Sequence, residues 1–219
     1  MQDQQVVSVA DGMGGAAAGE IASKLFVTAV QDFFSTARIS SEEAVYQIVQ
    51  RVFNVANKRI IEHATRNPGD VGMGCTGELL AFANGRYIIG HVGDSRIYLL
   101  RNGKLRQLTK DHSLVQLQLD RGTITAEEAR VHPKKNIVLR AVGMELDFSL
   151  DMLRGNSFVD DLFLLCSDGL TDMIKDEAIS AILVSSCSLV NMAEQLIKSA
   201  KNAGGKDNIT VVLCKVTGI

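Results

Sequence analysis

No run of apolar residues in this chain approaches the roughly 20 needed to cross a bilayer. Its opening, MQDQQVVSVADG, lacks the basic stretch, apolar stretch and cleavage site of an export signal, so a cytoplasmic location is the default expectation, with no membrane partner. An excess of positive charge is also missing. The net charge is −2 and Lys and Arg are scattered, which leaves no footprint for a phosphate backbone and excludes nucleic acid as an expected partner. Cys75, Cys166, Cys187 and Cys214 stand apart and form no CxxC pair, so they read as reduced thiols of the core rather than as zinc ligands or a redox couple. There is no HExxH, and His63, His91, His112 and His132 fit no ligand or triad spacing, which assigns them structural roles. Only His112 stands beside a candidate ligand.

Proline is scarce too, at two residues, while 46% of the chain is hydrophobic and 22% charged, the balance of an ordered globular protein. A length of 219 residues suffices for a sizeable core, and nothing divides the chain, so a single domain over 1–219 is expected. VVSVA at 6–10 reads as a strand, DGMGG as a turn, and AAAGEIASKLFVTAVQDFF as a helix. A second helix is predicted from Ser40 to about Thr65, with Ser40 and Glu43 as a capping box and Val45, Val49, Phe53, Ala56 and Ile60 on one face. From Gly74 to Thr109 the text turns to short strands joined at Asn84-Gly85 and Asn102-Gly103, the signature of two-residue hairpins. Residues 112–131 look helical, and 132–146 read as a loop-rich surface excursion. Strands near 147–154 and 161–167, helices near 175–185 and 188–202, and a last strand ITVVLCKV follow. Hairpins with paired helices predict an α+β fold of antiparallel sheets covered by helices.

Four aspartates share one setting, at the end of an apolar strand beside a turn former: Asp11 in ADGMGG, Asp94 in VGDSR, Asp168 in CSDGL and Asp207 in GKDN. Each alone is an ordinary turn residue. Together they imply a cluster, because carboxylates gathered without basic partners repel one another unless cations sit among them. Oxygen-only ligands select Mg²⁺ or Mn²⁺ over zinc. A rival reading also exists. Gly12-Met13-Gly14-Gly15-Ala16-Ala17 matches the GxGxxA dinucleotide fingerprint, with Asp32 twenty positions on. Against it stand the negative charge of Asp11 where pyrophosphate would lie, the helical context of Asp32, and the hairpins that follow.

ADGMGG with GEIAS, GHVGDSRIYLLRNGKL, LTKDHS, RGTIT, HPKKNIVLRAVG, SDGLTD and GGKDNITVVL occur in one order over residues 6–216. In these the chain resembles the type 2C, or PPM, serine/threonine protein phosphatases, in their compact bacterial form. The resemblance implies a four-layer sandwich, two antiparallel β-sheets flanked by paired α-helices. It implies that Asp11 bridges two metals, that the Gly12 carbonyl meets the second, and that Asp168 and Asp207 hold the first. Asp111 with Asp168 and Asp172 would match a third metal site, while Asp94 and Asn208 would support the site structurally. Two or three Mn²⁺ or Mg²⁺ ions and water-driven hydrolysis of phosphoserine or phosphothreonine, without a phosphoenzyme, follow from the resemblance. So do phosphoprotein partners, including a serine/threonine kinase and its substrates, and a monomeric state. The family's usual first strand, with its phosphate-gripping arginine, has no counterpart here; Asp3 is not assigned its role, and Met13 replaces a histidine of some relatives. Feeble hydrolysis with weakened Mn²⁺ binding is therefore one expectation, and an impaired phosphoprotein-binding module is the alternative. Residues 114–144, with Arg130, Lys134, Lys135 and Arg140, are expected to form a mobile flap.

Overall fold

Strands buried on both faces are apolar at nearly every position, and the run LFLLC meets that condition throughout, GELLAFA except at Glu78, and RYIIGHV except at Arg86 and His91. The computed structural model describes residues 6–36 and 41–218. One sheet has the order β1-β4-β5-β8, formed by β1 (Val6–Val9), β4 (Gly77–Ala83), β5 (Arg86–Val92) and β8 (Asp151–Asn156). The second has the order β10-β9-β6-β7, formed by β10 (Val211–Lys215), β9 (Leu162–Cys166), β6 (Arg96–Arg101) and β7 (Lys104–Gln107). A two-stranded ribbon of β2 (Gly12–Met13) and β3 (Gly74–Cys75) lies beside them. Helices α1 (Ala16–Phe34) and α2 (Glu42–Arg66) pack on the first sheet, and α6 (Asp176–Leu183) and α7 (Leu189–Asn202) pack on the second. Between β9 and α6 lies α5 (Asp168–Thr171), a single turn, and the 114–131 stretch holds α3 (Leu114–Asp120) and α4 (Ala126–Val131).

The alternation of side chains along each strand sorts residues into three apolar layers. On β4, Leu79 and Ala81 face α1 and α2, whereas Leu80 faces the opposite sheet. On β9, Leu162, Leu164 and Cys166 face α6 and α7, whereas Phe163 and Leu165 meet Leu80 and Ile89 in the middle. Two sheets with a helix pair on each outer face make the four-layer sandwich that was expected. Both Asn-Gly pairs are turns with positive φ, 49° and 70° at Asn84-Gly85 and 51° and 72° at Asn102-Gly103, as two-residue hairpins require.

Some boundaries differ from expectation. The second helix is capped by Ser41, whose Oγ accepts from the Ala44 N–H at 3.1 Å; Ser40 and Asp3 lie outside the described residues. The predicted helix over 112–131 is two short helices, because Gly122 turns the chain with φ 67°. The strand predicted near 147–154 begins at Asp151, opposite His91. Every strand pairing among the described residues is antiparallel, and Asp32 sits in α1 paired to Arg59 at 2.7 Å. The GxGxxA match therefore lacks the parallel βαβ unit that gives the fingerprint its meaning.

Phe26 and Phe53, both fully buried, meet edge to face at 5.0 Å over Gly77 and Gly90. A Cβ on Gly90 would come 2.5 Å from the Phe53 ring and 2.7 Å from Val49. Although alanine is ordinarily no worse than glycine in a strand, Gly90→Ala is expected to lower stability by about 1–3 kcal/mol through overpacking. Urea denaturation checks this, and an unchanged midpoint would mean the rings yield without strain.

Candidate metal centre

Asp11 follows β1 and is fixed by a reciprocal clasp. Its N–H donates to Thr76 Oγ1 at 2.9 Å and its carbonyl accepts from the Thr76 N–H at 2.8 Å. The Thr76 hydroxyl also bonds Ser95 Oγ at 2.9 Å, which ties Asp11 to the turn carrying Asp94. Gly12 lies directly on the first turn of α1. A Cβ there would collide with the Gly19 carbonyl, so the strap from Asp11 into the helix can form only without a side chain at this position.

Asp168 opens α5, and Asp207 lies in the loop before β10. One serine stitches the two together: Ser167 Oγ donates to the Asn208 carbonyl at 3.0 Å and accepts from the Thr210 N–H at 3.1 Å. Asp207 Oδ1 in turn accepts from the Asn208 N–H at 2.7 Å. Asp11, Asp168 and Asp207 thus reach one edge of the sandwich from three chain segments. Asp11 lies within hydrogen-bonding reach of Asp168 and feels the charge of Asp207.

Charge is out of balance at this edge. Burial, followed by the charges of Asp94, Asp11, Asp172 and Asp207, pushes the Asp168 carboxyl up to about 8. Its Oδ1 is buried with no hydrogen-bond partner. Burial and Asp111 push Asp94 up to about 7, and burial and Asp207 raise Asp11. Among the described residues, none of Asp11, Asp94, Asp168 and Asp207 has an ion-pair partner within 4.0 Å. Nor does any set of three or more His, Cys, Asp or Glu side chains among them close into a ready metal cage. A hard divalent ion such as Mg²⁺ fits that arrangement, since it keeps several waters and takes one or two carboxylates. The buried Asp168 Oδ1, left without a hydrogen-bond donor among the described residues, is compatible with such an ion.

Asp111 and Asp172 differ from those four. Arg96 grips Asp111 with a fork, Nε to Oδ1 at 2.8 Å and Nη2 to Oδ2 at 2.7 Å, and Gln107 adds a bond at 3.1 Å. Lys135 Nζ is bonded to Asp172. Arg96, Asp111, Lys135 and Asp172 line a cleft of ≈ 390 Å³ together with Asp94 and Asp168, between α3, α4 and the start of α6.

Sequence reasoning did not find the polar frame behind Asp111. Glu78 and His91 are directly opposed on β4 and β5, fully buried, with Oε1 2.5 Å from Nδ1. The His91 Nε2–H donates to the Lys110 carbonyl at 2.8 Å, and His112 exchanges two bonds with Gly93. The segment 110–112 is thereby bolted to the turn bearing Asp94. The only available signal was an acid and a histidine in two strands predicted to pair.

A family model described as Protein phosphatase 2C matches residues 1–213. The chain belongs to the protein phosphatase 2C family. This phosphatase 2C chain is 43% identical over 213 residues to the serine/threonine phosphatase stp of Listeria welshimeri, covering 96% of the chain and 84% of that relative. It resembles the crystal structure of the serine/threonine phosphatase PstP/Ppp of Mycobacterium tuberculosis with a TM-score of 0.91 and 36% identity, covering 98% of this chain and 89% of that one. A second solved structure, the catalytic domain of PstP in complex with two manganese ions, has a TM-score of 0.89 and 35% identity, covering 98% and 88% of the two chains.

The Glu78–His91 pair gives this phosphatase 2C fold a pH signature. Burial raises Glu78 from 4.5 to about 7, and the Glu78 carboxylate, overcoming the effect of burial, raises His91 from 6.5 to about 9. Both groups hold protons more tightly folded than unfolded. The pair's contribution to stability is therefore lost as pH rises, His91 releasing its proton as pH passes about 9, and the raised Asp94 and Asp168 carboxyls add losses of the same sign up to about 7 and about 8. The denaturation midpoint is therefore expected to fall from pH 5 to 9, and the double substitution Glu78→Gln, His91→Gln should flatten the part above about 8, beyond the range of Asp168. Equal slopes in the two proteins would show that this pair does not set the dependence.

Proposed function

We propose that this chain hydrolyses phosphoserine and phosphothreonine on proteins by metal-dependent attack of water, with the carboxylates at the sandwich edge as its metal holders. The observation that carries the reading is the buried, unpartnered Oδ1 of Asp168 amid four other carboxylates, in a chain of the phosphatase 2C family. Asp11, Asp168 and Asp207 would hold two Mn²⁺ or Mg²⁺ ions, with the Gly12 carbonyl as a backbone ligand to one and Asp111 and Asp172 available for a third. When bound, such ions lower the pKa of a water and offset charge on the phosphoryl group.

The protein's own contribution is placement. Thr76 and Ser95 aim Asp11, and Ser167 sets Asp168 against the Asp207 loop, so neither carboxylate can retreat from its neighbour. Arg96 holds Asp111 immobile at the cleft wall. The cleft beside Asp168, roofed by α3 and α4, would receive the substrate segment, and residues 114–144 would move as its flap. Among the described residues, no helix is long and apolar enough to cross a membrane, which is compatible with cytoplasmic phosphoproteins, including a serine/threonine kinase and its targets, as substrates.

With a phosphothreonine peptide, Mn²⁺ should switch hydrolysis on and Asp168→Ala should lower the rate by at least about 10²-fold. Ser167→Ala, which leaves every proposed ligand in place, should weaken Mn²⁺ binding by about 10- to 100-fold. Turnover that is indifferent to Mn²⁺, or an Asp168→Ala protein as active as the original, would overturn the reading.

A further inference from the structure

Two carboxylates at the cleft carry cations supplied by the chain, and the two cations are held very differently. Arg96 lies at the start of β6, in the frame of the second sheet, and reaches Asp111 through two parallel bonds with support from the Tyr98 hydroxyl at 3.1 Å. Lys135 comes from the 132–146 excursion and meets Asp172 with a single ammonium, the pair being 28% and 31% exposed. Within the excursion, 138–145 is well anchored, by the Leu139 N–H to His112 carbonyl bond at 2.6 Å, by the paired bonds between Val142 and Cys75 and by the Gly143 N–H to Asn57. The 132–137 part that carries Lys135 is held more lightly, by the Leu114 N–H to Ile137 carbonyl bond at 2.9 Å. Asp172 follows Asp168 by one helical turn, its N–H bonded to the Asp168 carbonyl at 2.8 Å, and the Asp168 Oδ1 is buried with no partner.

We propose that Lys135 is a displaceable internal cation that occupies Asp172 until a divalent ion takes its place between Asp168 and Asp172, and that its release frees the 132–137 segment. The inference rests on the metal-dependent reading above and adds a competitor to it. An ammonium is a point charge on a flexible stem, so it can leave without disturbing a hydrogen-bond fork, which Arg96 on Asp111 cannot. A divalent ion cannot share Asp172 with it, because the lysine would stand as a like charge against the ion. Binding at this position therefore carries the cost of parting the Lys135–Asp172 pair, and the segment that held the lysine loses its contact with α5.

The test is Mn²⁺ titration of the metal-free full chain, with free ion counted by electron paramagnetic resonance and hydrogen–deuterium exchange followed over residues 132–137. Lys135→Gln should tighten the weakest Mn²⁺ event by about two- to fivefold, as expected for release of a partly exposed pair, and Lys135→Arg, which can fork onto Asp172, should bind Mn²⁺ no more tightly than the original. Lys134→Gln removes the same unit of charge beside it and should leave the affinity unchanged, so that a change confined to Lys135 reports the contact. In the original protein Mn²⁺ should speed exchange over 132–137, and in Lys135→Gln exchange should already be fast without metal. Equal affinities in the original and Lys135→Gln proteins, or equal shifts in Lys134→Gln and Lys135→Gln, would overturn the competition while leaving metal binding intact. Absence of any Mn²⁺ event in every protein would overturn the metal centre and this inference with it.

Discussion

The fold is arranged around a repulsion. Asp11, Asp94, Asp168 and Asp207 end or adjoin strands from both sheets and bring negative charge to one edge, where burial makes that charge expensive. Removing two hydration shells and gaining only a like charge in return cannot favour the folded state, so the three apolar layers must carry the cost. They are suited to it. Each sheet is buried on both faces, and the middle layer of Val9, Leu80, Ile89, Ile97, Phe163 and Leu165 locks the two sheets face to face. The edge is destabilised and the interior over-determined, the usual relation between a charged site and its scaffold.

What keeps the carboxylates from relaxing apart is a set of short polar clasps, each linking two distant chain segments. Thr76 holds Asp11 across 65 positions, and Ser167 holds the Asp207 loop across 41 and 43. Behind Asp111, Glu78 and His91 pass a hydrogen bond from the first sheet to the Lys110 carbonyl. Each clasp bonds backbone as well as side chain, so it fixes where the turn runs and not merely where one side chain points. Moving one carboxylate therefore means moving a turn against its sheet.

These clasps also mark what could and could not be read from the sequence. Alternating apolar runs, the two Asn-Gly turns and the Asp-bearing strand ends are local patterns, and the structure has them where the sequence puts them. Boundaries fixed by one residue's backbone, such as the Ser41 cap and the Gly122 break, were missed by a position or merged, since neighbouring serines or a lone glycine leave several solutions open. The Glu78–His91 pair, the Arg96 fork and the Lys135–Asp172 bond depend on register and loop placement across 13, 15 and 37 positions, and no local period encodes them. Asp94 illustrates the same limit. The resemblance makes it a structural support, and only the folded arrangement shows that its charge is the foremost of those acting on Asp168.

The expectation that the acids lack basic partners needs division rather than rejection. Deep in the cleft wall, where a carboxylate must stay still, the chain provides an arginine whose planar fork and high proton affinity make the pairing permanent. At the cleft rim it provides a lysine on a loop, a contact that water and ions can replace. At the centre, on Asp168 and Asp11, no cation of the described chain comes within pairing distance. Permanence of the compensating charge thus falls from wall to rim to centre, and the carboxylates left bare are those that a mobile divalent ion could reach without first displacing part of the fold.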